Sequence, residues 1–229
     1  MEYSAGTPRL QDEVLLAGKP RRIGLLGGTF NPLHNGHLLI AQQAQREFDL
    51  DKVLFLVAGD PPHKHGPEVL AKELRYEMVD KVLSSYPQFA ADSVEIHRSG
   101  PSYTVDTINE LRRQHPEAQF SFIIGEDTLY QLEGWHNFPE LAKLTEFICL
   151  RRPLSPQLVN PDLQAKILRD RYGAVIHLSD YRGPDISSTD IRQRLAKGES
   201  IRGLVPKSVE EQIYGAGLYQ QPGSGCQPS

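Results

Sequence analysis

Two histidines three residues apart, His34 and His37, stand beside the bare backbone of Gly27, Gly28 and Gly36. Imidazole can donate an N–H to a phosphate oxygen near neutral pH, and a glycine lets an anion approach the main chain closely. Ile23, Leu25 and Leu26 form a short apolar run closed by Gly27-Gly28, which suits a central parallel strand. Beyond the histidines, Leu38, Leu39, Ile40, Ala41, Ala44 and Phe48 continue at roughly helical spacing. Strand, glycine turn and helix start therefore put both rings on one face of a first helical turn. Unpaired N–H groups and the positive end of the helix dipole favour phosphate there. This stretch is read as the site of a phosphoryl-group transfer.

Two other readings compete for the same residues. His34 and His37 could join His63 and His65 around a metal, but no cysteine or H-E-x-x-H accompanies them. They could also be capping or surface residues. No G-x-G-x-x-G or G-x-x-x-x-G-K-[ST] occurs, so the common dinucleotide and P-loop fingerprints are absent.

The run Gly27-Gly28-Thr29-Phe30-Asn31-Pro32-Leu33-His34-Asn35-Gly36-His37 resembles the GGTFDPxHxGH signature of nucleotidylyltransferases with an H/T-x-G-H motif. That group includes nicotinate-nucleotide, pantetheine-phosphate and cytidylyl transferases. Asn31 departs from the pattern, which usually has aspartate; an asparagine can still cap a turn through its side-chain oxygen. The resemblance implies an α/β fold, a Rossmann-like doubly wound parallel sheet flanked by helices. It also implies that His34 and His37 are catalytic and that Gly27, Gly28, Thr29 and Phe30 belong to the ATP site.

Composition is consistent with such an enzyme. The chain has 229 residues, 39% apolar and 24% charged, with net charge −4. It contains no apolar run long enough to span a bilayer and no signal-peptide pattern, so no membrane partner is expected. The acid balance argues against a general nucleic-acid surface. Cys149 and Cys226 make no disulfide framework, which points to the cytoplasm.

Residues 1–20 lack periodicity and read as an N-terminal extension, 21–219 as a single domain, and 220–229, rich in Pro, Gly and Ser, as a disordered tail. Val53–Val57 is the second strand, with a right-handed crossover from the first. A helix from about Lys72 to Tyr86 follows, with Leu74, Met78, Val82 and Leu83 on its core face. Val94–Ile96 is the third strand, Phe120–Ile124 the fourth, Phe147–Leu150 the fifth and Ala174–Leu178 the last; a helix spans about Leu163–Tyr172.

Polar groups gather where these strands end. Asp60-Pro61-Pro62-His63-Lys64 follows the second strand and is either a surface loop or a phosphate contact through Lys64. Ser102-Tyr103-Thr104-Val105-Asp106-Thr107 precedes an amphipathic helix as ordinary caps would. After the fourth strand, Gly125-Glu126-Asp127 could hold a ribose hydroxyl through Asp127 or cap a helix. Trp135, the only tryptophan, has core packing as its usual role. Ser187-Ser188-Thr189 opens a helix at Ile191–Ala196, as a cap or as a second anion-binding start with Arg192 on its first turn.

Each of these stretches also resembles an element of the nicotinate-nucleotide enzymes: PPHK, SYTxDT, the Gly-Glu-Asp and Trp pair, ISSTxIR, and the ending Gly217-Leu218-Tyr219. The resemblance implies that Lys64, Gly125, Asp127, Arg152, Ser187, Ser188, Thr189 and Arg192 bind ATP. It implies that Thr104, Trp135 and His136 receive nicotinate mononucleotide, with the Trp135 ring on the pyridine and backbone donors on its carboxylate. Magnesium would arrive on the ATP phosphates, with no protein metal site. The expected reaction is adenylyl transfer from ATP to nicotinate mononucleotide, giving deamido-NAD and pyrophosphate. Pantetheine-phosphate or nicotinamide-nucleotide transfer are the alternatives of the same class. A non-catalytic nucleotide sensor is one of another class, and a tRNA-charging enzyme would need far more chain. Whether the protein is a homo-oligomer is left open by the sequence.

Overall fold

The computed structural model describes residues 21–59, 69–151 and 160–219. The N-terminal extension, the tail from 220, the loop with Lys64, His63 and His65, and Arg152 lie outside them. Six strands form one sheet in the order β3-β2-β1-β4-β5-β6, and every neighbouring pair is parallel. The strands are β1 (Arg22–Gly28), β2 (Lys52–Val57), β3 (Phe89–Asp92), β4 (Gln119–Gly125), β5 (Glu146–Arg151) and β6 (Ile176–Arg182). The helices are α1 (Asn35–Glu47), α2 (Lys72–Leu83), α3 (Thr104–Gln114), α4 (Glu126–Leu129), α5 (Phe138–Leu144), α6 (Pro161–Tyr172), α7 (Ser188–Ala196) and α8 (Lys207–Gly215).

Strand periodicity divides the core into two layers, as a doubly wound sheet requires. Val53, Phe55 and Val57 of β2 face α1, α2, α7 and α8, joined by Ile123 of β4 and Ile148 and Leu150 of β5. Leu54 and Leu56 face the other way, with Phe120, Phe122, Ile124, Phe147 and Cys149, and meet α3, α5 and α6. Burial with Glu126 nearby pushes the Cys149 thiol up to about 12, so it packs as a small apolar group.

The structure corrects several sequence expectations. The third strand is Phe89–Asp92, paired with Val53–Leu56, and Val94–Ile96 is a turn. The Asp92 carboxylate accepts the Val94 N–H at 2.8 Å, a side-chain turn that ends the strand. The last strand runs on to Arg182 and carries Ser179 and Asp180, since an edge position with β5 as its neighbour tolerates polar residues. On α2, Leu74 is 36% exposed, while Arg75 is only 1% exposed and takes a core position. Helix α7 begins at Ser188, three residues ahead of Ile191.

Candidate active site

The C-terminal ends of β1, β4 and β5 and the start of α7 enclose a cavity of about 760 Å³. Gly27, Gly28, Thr29, Phe30, Asn31, His34, Gly36 and His37 line it from the histidine turn, and Ser187, Ser188, Thr189 and Arg192 line it from α7. Ligands of open parallel sheets gather at this kind of place, outside the carboxyl ends of strands where the winding reverses.

The histidine turn is held by its own hydrogen bonds. His34 is the N-cap of α1 with extended backbone, and its N–H donates to His37 Nδ1 at 3.2 Å. The rings stack with centroids 3.6 Å apart and 22° between planes. Because Nδ1 of His37 accepts, a neutral ring carries its proton on Nε2. The edge of Phe30 meets the His37 ring at 4.9 Å. A Cβ on Gly36 would lie 3.0 Å from His34 Nδ1, and one on Gly27 2.8 Å from Phe122 Cζ. The bare positions at Gly27 and Gly36 thus also make room for the protein's own rings.

Helix α7 is tied directly to this turn. Ser187 Oγ accepts the Asp190 N–H at 3.0 Å as an N-cap. Ser188 Oγ donates to Pro32 O at 2.9 Å, and Arg192 Nη1 donates to Asn31 O at 2.9 Å. Two helix N-termini, α1 and α7, therefore border one cavity, with the Arg192 guanidinium between them. Their dipoles and N–H groups sum with that charge to favour a polyanion.

Gly125 also lines the cavity, at the end of β4. Asp127 follows on the first turn of α4, exposed and outside the lining set. Its neighbour Glu126 is fully buried. Arg151 lines the cavity at the end of β5 and pairs with Asp162 at 3.6 Å and Asp180 at 3.5 Å. Sequence reasoning named the adjacent Arg152 and missed Arg151, along with Asn31, Ile40, Val69, Leu150, Gly183, Pro184 and Ile186 as lining residues. The Arg-Arg-Pro ending of the strand was the signal for Arg151; Arg152 lies outside the described residues.

Thr104, Trp135 and His136 come together in a second group. Thr104 is the first residue of α3, and Tyr103 before it stacks on His136 at 4.1 Å and 25°. Trp135 is half-buried and stands edge-on to Phe122 at 5.6 Å and 90°. Phe122 is the same ring that occupies the space beside Gly27. Gly27, which lines the cavity, and Trp135 of the aromatic group thus both abut Phe122.

Sheet order, twin helix starts and the paired histidines define a nucleotidylyltransferase-type α/β protein. A family model described as cytidylyltransferase-like matches residues 25–194. A relative from Desulfitobacterium hafniense, named "Probable nicotinate-nucleotide adenylyltransferase", is 41% identical over 203 residues, covering 88% of this chain and 97% of the relative. One of the same name from Exiguobacterium sibiricum is 43% identical over 198 residues, covering 86% and 98%. The Plasmodium falciparum nicotinic acid mononucleotide adenylyltransferase, solved with NaAD, shares the fold at a TM-score of 0.72 and 17% identity, covering 87% of this chain and 97% of that one. The chain belongs to the nicotinate-nucleotide adenylyltransferases, within the cytidylyltransferase-like family.

Proposed function

We propose that this chain transfers the adenylyl group of ATP to nicotinate mononucleotide, forming deamido-NAD and pyrophosphate in NAD biosynthesis. The observation that carries the reading is the single cavity on which the His34–His37 pair, the start of α7 and Arg192 converge. In the reaction a phosphate oxygen of the mononucleotide attacks the α-phosphorus of ATP in line. A new P–O–P bond forms, the bond from Pα to the bridging oxygen breaks, and that oxygen leaves with pyrophosphate. The attacking oxygen is already an anion, so no side-chain nucleophile or base is needed. Catalysis is positioning and charge stabilisation.

In this reading the His37 Nε2–H donates to the transferring phosphoryl group and His34 holds it alongside. The α7 amides at Ser187–Thr189 and the Arg192 guanidinium take the departing phosphates. Gly125 and Asp127 lie toward the nucleoside, and Tyr103, Thr104, Trp135 and His136 frame the nicotinate ring. Lys64 and Arg152 are kept as ATP contacts by their motifs alone. The described residues lining the cavity include no carboxylate, so magnesium, which prefers oxygen ligands, would be held by the ATP phosphates and water. It would supply charge neutralisation there.

Among the described residues no helix is long and apolar enough to cross a membrane. A cytoplasmic location belongs to the same proposal, supported by the unpaired buried thiol of Cys149. Pyrophosphate release measured in parallel with nicotinate mononucleotide, nicotinamide mononucleotide and phosphopantetheine tests the function. The expected result is turnover with the first, strongly preferred over the others. A carboxylate accepts from several donors, whereas a carboxamide leaves at least one of them unpaired.

A further inference from the structure

The end of the described chain reaches back to Asn31, one of the residues lining the cavity. Tyr219 Oη donates to Asn31 Oδ1 at 2.8 Å across 188 residues of sequence. The same oxygen accepts the Leu70 N–H at 3.2 Å, and the Asn31 main-chain carbonyl accepts Arg192 Nη1 at 2.9 Å. Asn31 is buried, at 3% exposed. One residue thus joins the histidine turn, the segment after β2, helix α7 and the C-terminal tyrosine.

We propose that Tyr219 is a positioning residue for the ATP phosphates, acting through Asn31 on Arg192. Its ring packs against the core beside α8, and α8 brings it there from the far end of the chain. An amide oxygen can only accept, so the shared proton belongs to tyrosine and the direction of the bond is fixed. Burial raises the Tyr219 hydroxyl above its ordinary range, with Arg192 and Arg75 pulling the other way, so the donor persists at every working pH. Asn31 in turn offers Arg192 a neutral carbonyl. That acceptor fixes the guanidinium in place without adding a negative charge at the cavity wall. The hydroxyl therefore sets the register of Asn31, and Asn31 sets the reach of Arg192.

The inference rests on the reading that the cavity takes ATP. Its test is a double-substitution cycle on the full chain, with ATP affinity measured by titration calorimetry for the unsubstituted protein, Tyr219→Phe, Arg192→Ala and the pair. Tyr219→Phe removes one hydroxyl and keeps the ring, and should weaken ATP about three- to tenfold, the worth of one hydrogen bond. In the Arg192→Ala background the same change should weaken ATP less than about twofold, because the group it positions is gone. Nicotinate mononucleotide affinity should not move. A purely structural tyrosine would give equal losses in both backgrounds and for both ligands, and that result overturns the proposal, as does unchanged ATP affinity in Tyr219→Phe. Failure of the unsubstituted chain to bind ATP overturns the functional reading as well. Turnover is not used in the cycle, so the two failures are told apart.

Discussion

Arg75→Met should destabilise the fold by roughly 3–5 kcal/mol. The guanidinium is 1% exposed and donates to three main-chain carbonyls: Thr29 O at 2.7 Å, Gly59 O at 3.0 Å and, through Nε, Leu70 O at 3.0 Å. These come from the turn after β1, the end of β2 and the segment leading into α2. A hydrogen bond to a charged group contributes about 1.5–3 kcal/mol, which summed naively over three would give roughly 5–9. Two effects bring that down. Methionine removes the buried charge together with its desolvation cost, and Thr29 lines the cavity, where water can reach its carbonyl. What remains is the cost of carbonyls stripped of a donor, about 1–3 kcal/mol each. Against a total stability of about 5–15 kcal/mol the effect is large. Urea unfolding followed by circular dichroism, at unchanged m, measures it. Arg75→Lys, able to reach only part of the set, should fall between. A loss below about 1 kcal/mol for Arg75→Met would refute the claim that the guanidinium holds these three segments together.

Other substitutions read the site and its surroundings. His37→Ala should lower kcat by about 10²–10³ with a much smaller change in ATP affinity, as loss of a donor to the transferring group does; steady-state kinetics with calorimetry decide it, and near-normal kcat in a folded variant refutes the role. Trp135→Ala should raise KM for nicotinate mononucleotide and leave KM for ATP unchanged; a rise for ATP alone would place the ring elsewhere. Glu95 is buried, and that burial raises its carboxyl, opposed by the Thr107 hydroxyl, Ser102 and Arg98. The folded protein then holds this proton more tightly than the unfolded chain does, so its contribution is full below the ordinary glutamate value of about 4.3 and is lost as pH rises through the raised one. Unfolding measured between about pH 4.5 and 7.5 should therefore show the native protein gaining on Glu95→Gln as pH falls; the opposite slope refutes it.

The histidine turn was legible in the sequence because its determinants are local. A strand, two glycines and a helix cap lie within a few residues, and each has its own chemical signal. The same holds for the cap at Ser187. What escaped was long-range. Apolar periodicity put Leu74 toward the core of α2 and left Arg75 outside, because periodicity counts apolar residues and cannot see three carbonyls converging from other loops. Residues 89–92 carry one large apolar side chain, Phe89, so as an edge strand they were overlooked in favour of Val94 and Ile96, which are partly or fully buried within a turn. The Tyr219–Asn31 bond spans 188 residues and has no sequence signal beyond the two side chains themselves.

The arrangement of the sheet fits a proposed mechanism in which no side chain need react. In the order β3-β2-β1-β4-β5-β6, the chain moves outward from β1 in one direction and from β4 in the other. The crevice between these two strands is where their following segments part, the histidine turn on one side and Gly125 with α4 on the other. Phe122 of β4 packs in the core layer beside Leu25, its neighbour on β1. It fills the space where Gly27 would carry a Cβ, 2.8 Å away, and offers its face or edge to Trp135. Any side chain at position 27 would push Phe122, and through it Trp135, so the turn proposed to meet the α-phosphate and the ring proposed to meet the acceptor base are linked through Phe122. In-line attack depends on the mutual placement of two bound nucleotides to a fraction of an ångström. In the proposed reaction Phe122 would tie that placement to the centre of the sheet, and the imidazoles and helix termini would have only the charge to stabilise.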